Sequence, residues 1–158
     1  MERGIVYGLL TDRPENRRPL TWERSQVEIL MMEGLEFSCP WTGKKLTLAN
    51  YDMDHLLPVS VYPINELWNL VPADRQFNQH VKRDRMPGVD RLTTALPHLQ
   101  DTYGNYLHSP QLSTALTQDA RTRFGTQAVS ENTFPARLTR SIVDYLQVVT
   151  MARNLRVF

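Results

Sequence analysis

The chain has 158 residues, 41% of them hydrophobic and 22% charged, the make-up of an ordinary globular protein long enough to bury roughly two-thirds of its unfolded surface. A formal net charge of +1 excludes strong whole-molecule attraction to nucleic acid, so contacts of that kind must come from a local basic patch or from a partner. Cys39 is the only cysteine, which excludes an intrachain disulfide and any zinc site built from several cysteines.

In chain order, GIVYGLL at 4–10 is too short to span a bilayer and, behind Arg3, lacks the apolar core and cleavage site of a signal peptide. A cytoplasmic protein without membrane attachment is the expectation. TDRPENRRP at 11–19 reads as an exposed polar loop. From Leu20 to Gly34, Leu20, Val27, Leu30 and Met31 recur at helical spacing, with Gly34 as terminator. FSCPWTGKKLTL at 37–48 predicts two short extended pieces around a turn at Pro40 to Gly43. YDMDHLLPV predicts a further strand ending near Pro58, followed by a loop from Ser60 to Glu66 and another extended piece at LWNLV.

ADRQFNQHVKRDR at 73–85 contains neither glycine nor proline and predicts a helix, stopped by Met86, Pro87 and Gly88. At 3.6-residue spacing Asp74, Asn78, Lys82 and Arg85 share one side of it, while Ala73, Phe77 and Val81 form a neighbouring apolar stripe. A carboxylate and an amide oxygen suit a hard ion such as Mg²⁺, and the cations suit phosphate. His80 lies about 200° around the helix from Asn78 and cannot share its face.

The remainder reads as helical. Ser109 and Pro110 open a helix to about Phe124 with Gly125 just past its end. Leu138, Ile142, Leu146, Val149 and Arg153 predict a long helix over roughly 135–153. His80, His98 and His108 have no partner at metal-ligand spacing and read as surface or packing residues, while Trp22, Trp41 and Trp68 read as core.

An acidic residue beside a histidine in YDMDHLLPVS, then Asn69 in NELWNLVP, then Asn78 in the basic, proline-ended FNQHVKRDRMP is an ordered set that no single residue carries. With the CPWTGKKL lead-in, this stretch resembles the HNH, or ββα-metal, nuclease motif. It is most similar to the HNH domains of CRISPR RNA-guided effector nucleases and of bacterial and phage nucleases. The resemblance implies an α+β fold: a ββα-metal core with short antiparallel strands, embedded in a mainly helical chain. It implies Asp54 and Asn78 as metal ligands, His55 as general base and Asn69 as the residue that bonds loop backbone and so holds His55. Lys82, Arg83 and Arg85 are the expected nucleic-acid contacts. The cofactor implied is Mg²⁺ or Mn²⁺. Relatives with two cysteine pairs bind a structural zinc; here Thr42 stands where a second cysteine would fall, so the zinc-free branch is the better comparison.

The domain organisation expected is an N-terminal loop and helix at 1–36, the nuclease core at 37–87 and a helical extension at 88–158. The function expected is metal-dependent hydrolysis of nucleic-acid phosphodiesters, DNA foremost, in phage defence or restriction. The alternative is a catalytically silent HNH-fold binding or interaction module of a larger complex. The near-neutral charge points to a targeting protein, a fused domain or a homodimer as partner.

Adjacent residues of a flat strand point to opposite faces, so Asp54 and His55 can serve one site only if the strand stops there.

Overall fold

A computed structural model describes residues 20–62, 65–125 and 133–158. The polar loop expected at 11–19, the GIVYGLL run and part of the 60–66 loop lie outside the described residues. Helix α1 (Leu20–Met32) buries Val27 and Leu30. It ends ahead of Gly34, whose φ of +99° is the left-handed conformation that a residue without Cβ enters freely.

The 37–48 stretch forms less strand than its pattern predicts. Its pairing is a single bridge between Ser38 and Lys45, closed by Cys39 N–H to the Lys44 carbonyl and Gly43 N–H to the Cys39 carbonyl, both at 2.8 Å. The side chains of Phe37, Cys39, Trp41 and Leu46 nevertheless enter the core. The apolar pattern therefore reports burial, while the tight turn leaves too little backbone for a ladder.

Strands β1 (Tyr51–His55) and β2 (Leu70–Asp74) form a two-stranded antiparallel sheet in which His55 faces Leu70 and Tyr51 faces Asp74. One 3₁₀ turn, Leu67–Asn69, leads into β2. Pro72 is tolerated because each strand of such a sheet has an unpaired edge.

The helix expected over 73–85 changes at both ends. Asp74 stays in β2, and its carboxylate accepts the Phe77 N–H at 3.1 Å, capping a short α2 (Arg75–Phe77). The chain then widens into a π turn, Asn78–Lys82, closed by Arg83 N–H to the Asn78 carbonyl at 2.8 Å. A π turn takes up more chain per turn than an α-helix, so later side chains rotate relative to a 3.6-residue count. Val81, expected inside, is 37% exposed, and Lys82, expected outside, is 1% exposed.

Helices α3 (Val89–Tyr106), α4 (Pro110–Phe124) and α5 (Phe134–Arg153) follow. Ser109 Oγ caps α4 by accepting the Leu112 N–H at 3.2 Å. One cluster of buried residues joins Val27, Trp68, Tyr103, Leu116 and Leu146, so the helices of 88–158 share a core with the sheet.

Beyond α5 the chain returns to the sheet region. Val157 pairs with Met86 in a parallel bridge, and the Phe158 ring packs edge-on against Trp41 at 5.3 Å and Phe77 at 5.9 Å. The fold is α+β, a ββα unit within a mainly helical chain. Among the described residues no helix is long and apolar enough to cross a membrane.

Candidate active site

β1 ends at His55 because Leu57, two residues on, finds both its backbone partners in one side chain. Leu56 N–H still reaches the Asn69 carbonyl at 2.9 Å. Leu57 N–H instead donates to Asn69 Oδ1 at 2.8 Å, and Asn69 Nδ2 donates to the Leu57 carbonyl at 3.1 Å. Asn69 thus replaces the strand partner that Leu57 loses as the chain leaves the sheet, and pairs both of its backbone groups.

The helical part of the chain grips this turn from behind. Tyr103 Oη donates to the Trp68 carbonyl at 2.6 Å and Tyr106 Oη to the Leu70 carbonyl at 2.7 Å, one on each side of Asn69. Asp119 Oδ2 accepts the Leu67 N–H at 2.8 Å. The Glu66 carboxylate accepts from Nε and Nη2 of Arg123 and from the Trp68 indole N–H.

In front of the turn lies a cleft of about 380 Å³, whose walls include Asp54, His55, Asn78, Lys82, Arg83 and Asp84. The two neighbours on β1 and the asparagine of the π turn therefore meet one space. Asp54 is 6% exposed. Its Oδ1 accepts from Lys82 Nζ at 3.2 Å and its Oδ2 from Trp41 Nε1 at 3.4 Å. Lys82 Nζ also donates to the His55 carbonyl at 3.0 Å, so one ammonium braces both residues. The Phe158 ring lies 5.9 Å from the same Nζ.

Burial pushes the Asp54 carboxyl up from its ordinary 3.8 to about 6, against the pull of Lys82 and Trp41. Burial also pulls the His55 imidazole down from 6.5 to about 4, and the Lys82 charge adds to that fall. His55 is consequently neutral at pH 7 and able to take a proton. Its ring hydrogen-bonds to none of the described residues.

Asn78 is half-buried and its side chain bonds none of the described residues. The donor set fits a hard divalent ion: one carboxylate and one amide oxygen on a single open cleft, with room for water and phosphate oxygens. Among the described residues no group of three or more His, Cys, Asp or Glu is placed to hold a metal.

The three expected nucleic-acid contacts separate. Lys82 is buried on Asp54, Arg85 turns back to the Val81 carbonyl, and Arg83 is exposed on the cleft wall. Sequence reasoning missed Trp41 and Lys82 as partners of Asp54. It also missed the two tyrosines behind Asn69. The wider i→i+5 winding of a π turn, in place of 3.6 residues per turn, turns Lys82 inward; nothing in the local pattern marks Trp41 or the tyrosines.

Residues 39–88 match the HNH endonuclease family. No curated protein and no solved structure matches the chain.

Proposed function

From the HNH domain at residues 39–88, we propose that the chain is a metal-dependent endonuclease that hydrolyses nucleic-acid phosphodiesters, DNA foremost, with His55 as general base. The observation that carries this reading is the common cleft of Asp54, His55 and Asn78. In it a neutral imidazole stands beside one carboxylate and one amide oxygen.

Asp54 and Asn78 would hold a single Mg²⁺ or Mn²⁺. When bound, that ion supplies charge relief to the scissile phosphate and the departing 3′ oxygen. His55 accepts the proton of the attacking water on its ring nitrogen. Asn69 fixes the turn after His55 through Leu57, and Lys82 fixes the His55 carbonyl and the Asp54 carboxylate. Both act as positioning residues rather than as substrate contacts. Arg83 and Arg85 remain the candidates for phosphate.

With no other cysteine in the chain to join Cys39, we assign no structural zinc. The near-neutral charge supports a targeting partner, a fused domain or a homodimer, and restriction or phage defence is the setting we propose.

One observation favours a second reading, that of a silent HNH-fold binding module. Lys82 already supplies Asp54 with a cation. Plasmid cleavage separates the two. Wild type with Mg²⁺ or Mn²⁺ is expected to nick or linearise supercoiled DNA. His55→Ala is expected to be slower by about 10²–10⁴-fold, and EDTA to abolish the reaction. Calorimetric Mn²⁺ binding by wild type that disappears in Asp54→Ala supports the metal site. Wild type that neither cuts nor binds Mn²⁺ is the silent module.

A further inference from the structure

Two non-glycine residues among those described have positive φ: Asn154 at +51° and Arg83 at +53°. Asn154 has ψ +49° and closes the C-terminus of α5, a left-handed cap that asparagine tolerates. Arg83 has ψ −127°. With Arg85 N–H bonded to the Lys82 carbonyl at 3.1 Å, that geometry is the first central position of a type II′ turn, where glycine dominates because a Cβ crowds the backbone. The turn ends the π segment, and glycine would end it at lower strain.

The arginine side chain gives no structural return for that strain. It is exposed, and its guanidinium forms no ion pair or hydrogen bond with the described residues. Asp84 lines the same cleft without pairing to it. Of its two basic neighbours, Lys82 is paired to Asp54, and Arg85 turns back to the Val81 carbonyl away from the cleft lining. Arg83 alone of the three stands on the wall that also carries Asp54, His55 and Asn78 without a charge partner among the described residues.

We propose that Arg83 is a substrate-positioning residue held in a glycine conformation: its guanidinium grips a backbone phosphate next to the scissile one and sets the strand's register over His55. A planar guanidinium presents paired N–H donors in fixed geometry to two phosphate oxygens, whereas a lysine ammonium acts as a point charge. Strain of this kind persists where function retains it. The proposal rests on the nuclease reading and deepens it by singling out one phosphate contact.

The test compares Arg83→Gly and Arg83→Lys, with two readouts independent of turnover. Thermal unfolding without nucleic acid is expected to show Arg83→Gly melting about 2–6 °C above wild type, since glycine relieves the turn. Arg83→Lys, which keeps the Cβ, is expected to melt with wild type. Binding of a short labelled DNA duplex is then measured across salt with Mg²⁺ present, each variant in the His55→Ala background so that the probe stays intact. Arg83→Gly is expected to weaken binding by about tenfold and to lower the slope of log affinity against log salt by about 1, the mark of one lost phosphate contact. Arg83→Lys is expected to keep the slope and lose part of the affinity.

A higher melting temperature with unchanged affinity and slope overturns this proposal and leaves the nuclease reading standing. A lower melting temperature overturns it too, by making Arg83 a structural residue. A folded His55→Ala protein that binds neither DNA nor Mn²⁺ overturns both readings.

Discussion

Asn69 and Asn78 are the same residue type in two regions with opposite surroundings. The first is wholly buried, with both ends of its amide spent on Leu57 backbone, and two tyrosine hydroxyls grip the carbonyls beside it. The second is half-buried on a π turn, its amide open to the cleft. Behind the turn, polar groups are satisfied inside the protein, so deleting one leaves a buried partner unpaired. Around Asn78 water can replace what is removed, so a loss there is expected to fall on chemistry and not on folding. On the proposed reading the molecule separates a stabilised frame from a working face.

Lys82 crosses that division, and it gives the largest expected effect. Lys82→Met leaves the buried Asp54 carboxylate without its cation and is expected to cost about 3–5 kcal/mol of stability in EDTA, read by urea unfolding. A cost below about 1 kcal/mol would move Lys82 into the working face.

The two asparagines sharpen the comparison directly. Asn69→Ala strands the Leu57 N–H and carbonyl together and is expected to cost about 2–4 kcal/mol. Asn78→Ala is expected to lie within about 0.5 kcal/mol of wild type in the same unfolding experiment, yet to weaken Mn²⁺ binding and plasmid cleavage at least about tenfold. Equal stability losses in the two variants would erase the distinction.

The smallest effect is one of pH, in metal-free buffer. Asp54, raised from 3.8 to about 6, holds its proton more tightly folded than unfolded. Its contribution is present below 3.8 and is lost as pH rises through 6. His55, lowered from 6.5 to about 4, does the reverse. Its contribution is present above 6.5 and is lost as pH falls through 4. In wild type the two slopes oppose each other across roughly pH 4–6. Asp54→Asn is expected to leave stability that rises with pH in this window, and His55→Gln stability that falls. Urea midpoints at fixed pH read both, and the same sign in both variants would refute the assignment.

Much of this architecture is legible in the order of residues. The periodicity of Val27 and Leu30, the Ser109–Pro110 start and the Leu138 to Leu146 stripe mark helices whose ends the structure places within a residue or two of expectation. Local chemistry sets those ends, by caps, glycines and prolines, which is why they can be read locally. The HNH pattern is legible for the same reason, being a short ordered run of residue types at 39–88. Reading failed where a partner distant in sequence decides. Asp74 looks like a helix start but belongs to β2 because Tyr51 pairs with it.

The sequence by itself determined that Asp54, His55, Asn69 and Asn78 occur together, in an order that brings oxygen donors and an imidazole within one short unit. Only the tertiary structure decided how the basic run is used. One π turn reverses Val81 and Lys82, carries the lysine onto a carboxylate 28 residues away, and leaves Arg83 facing the cleft in a conformation meant for glycine. The reason is physical. A local pattern records which side chains prefer burial, whereas the winding of the chain is chosen by contacts that exist only once the strands and helices have met.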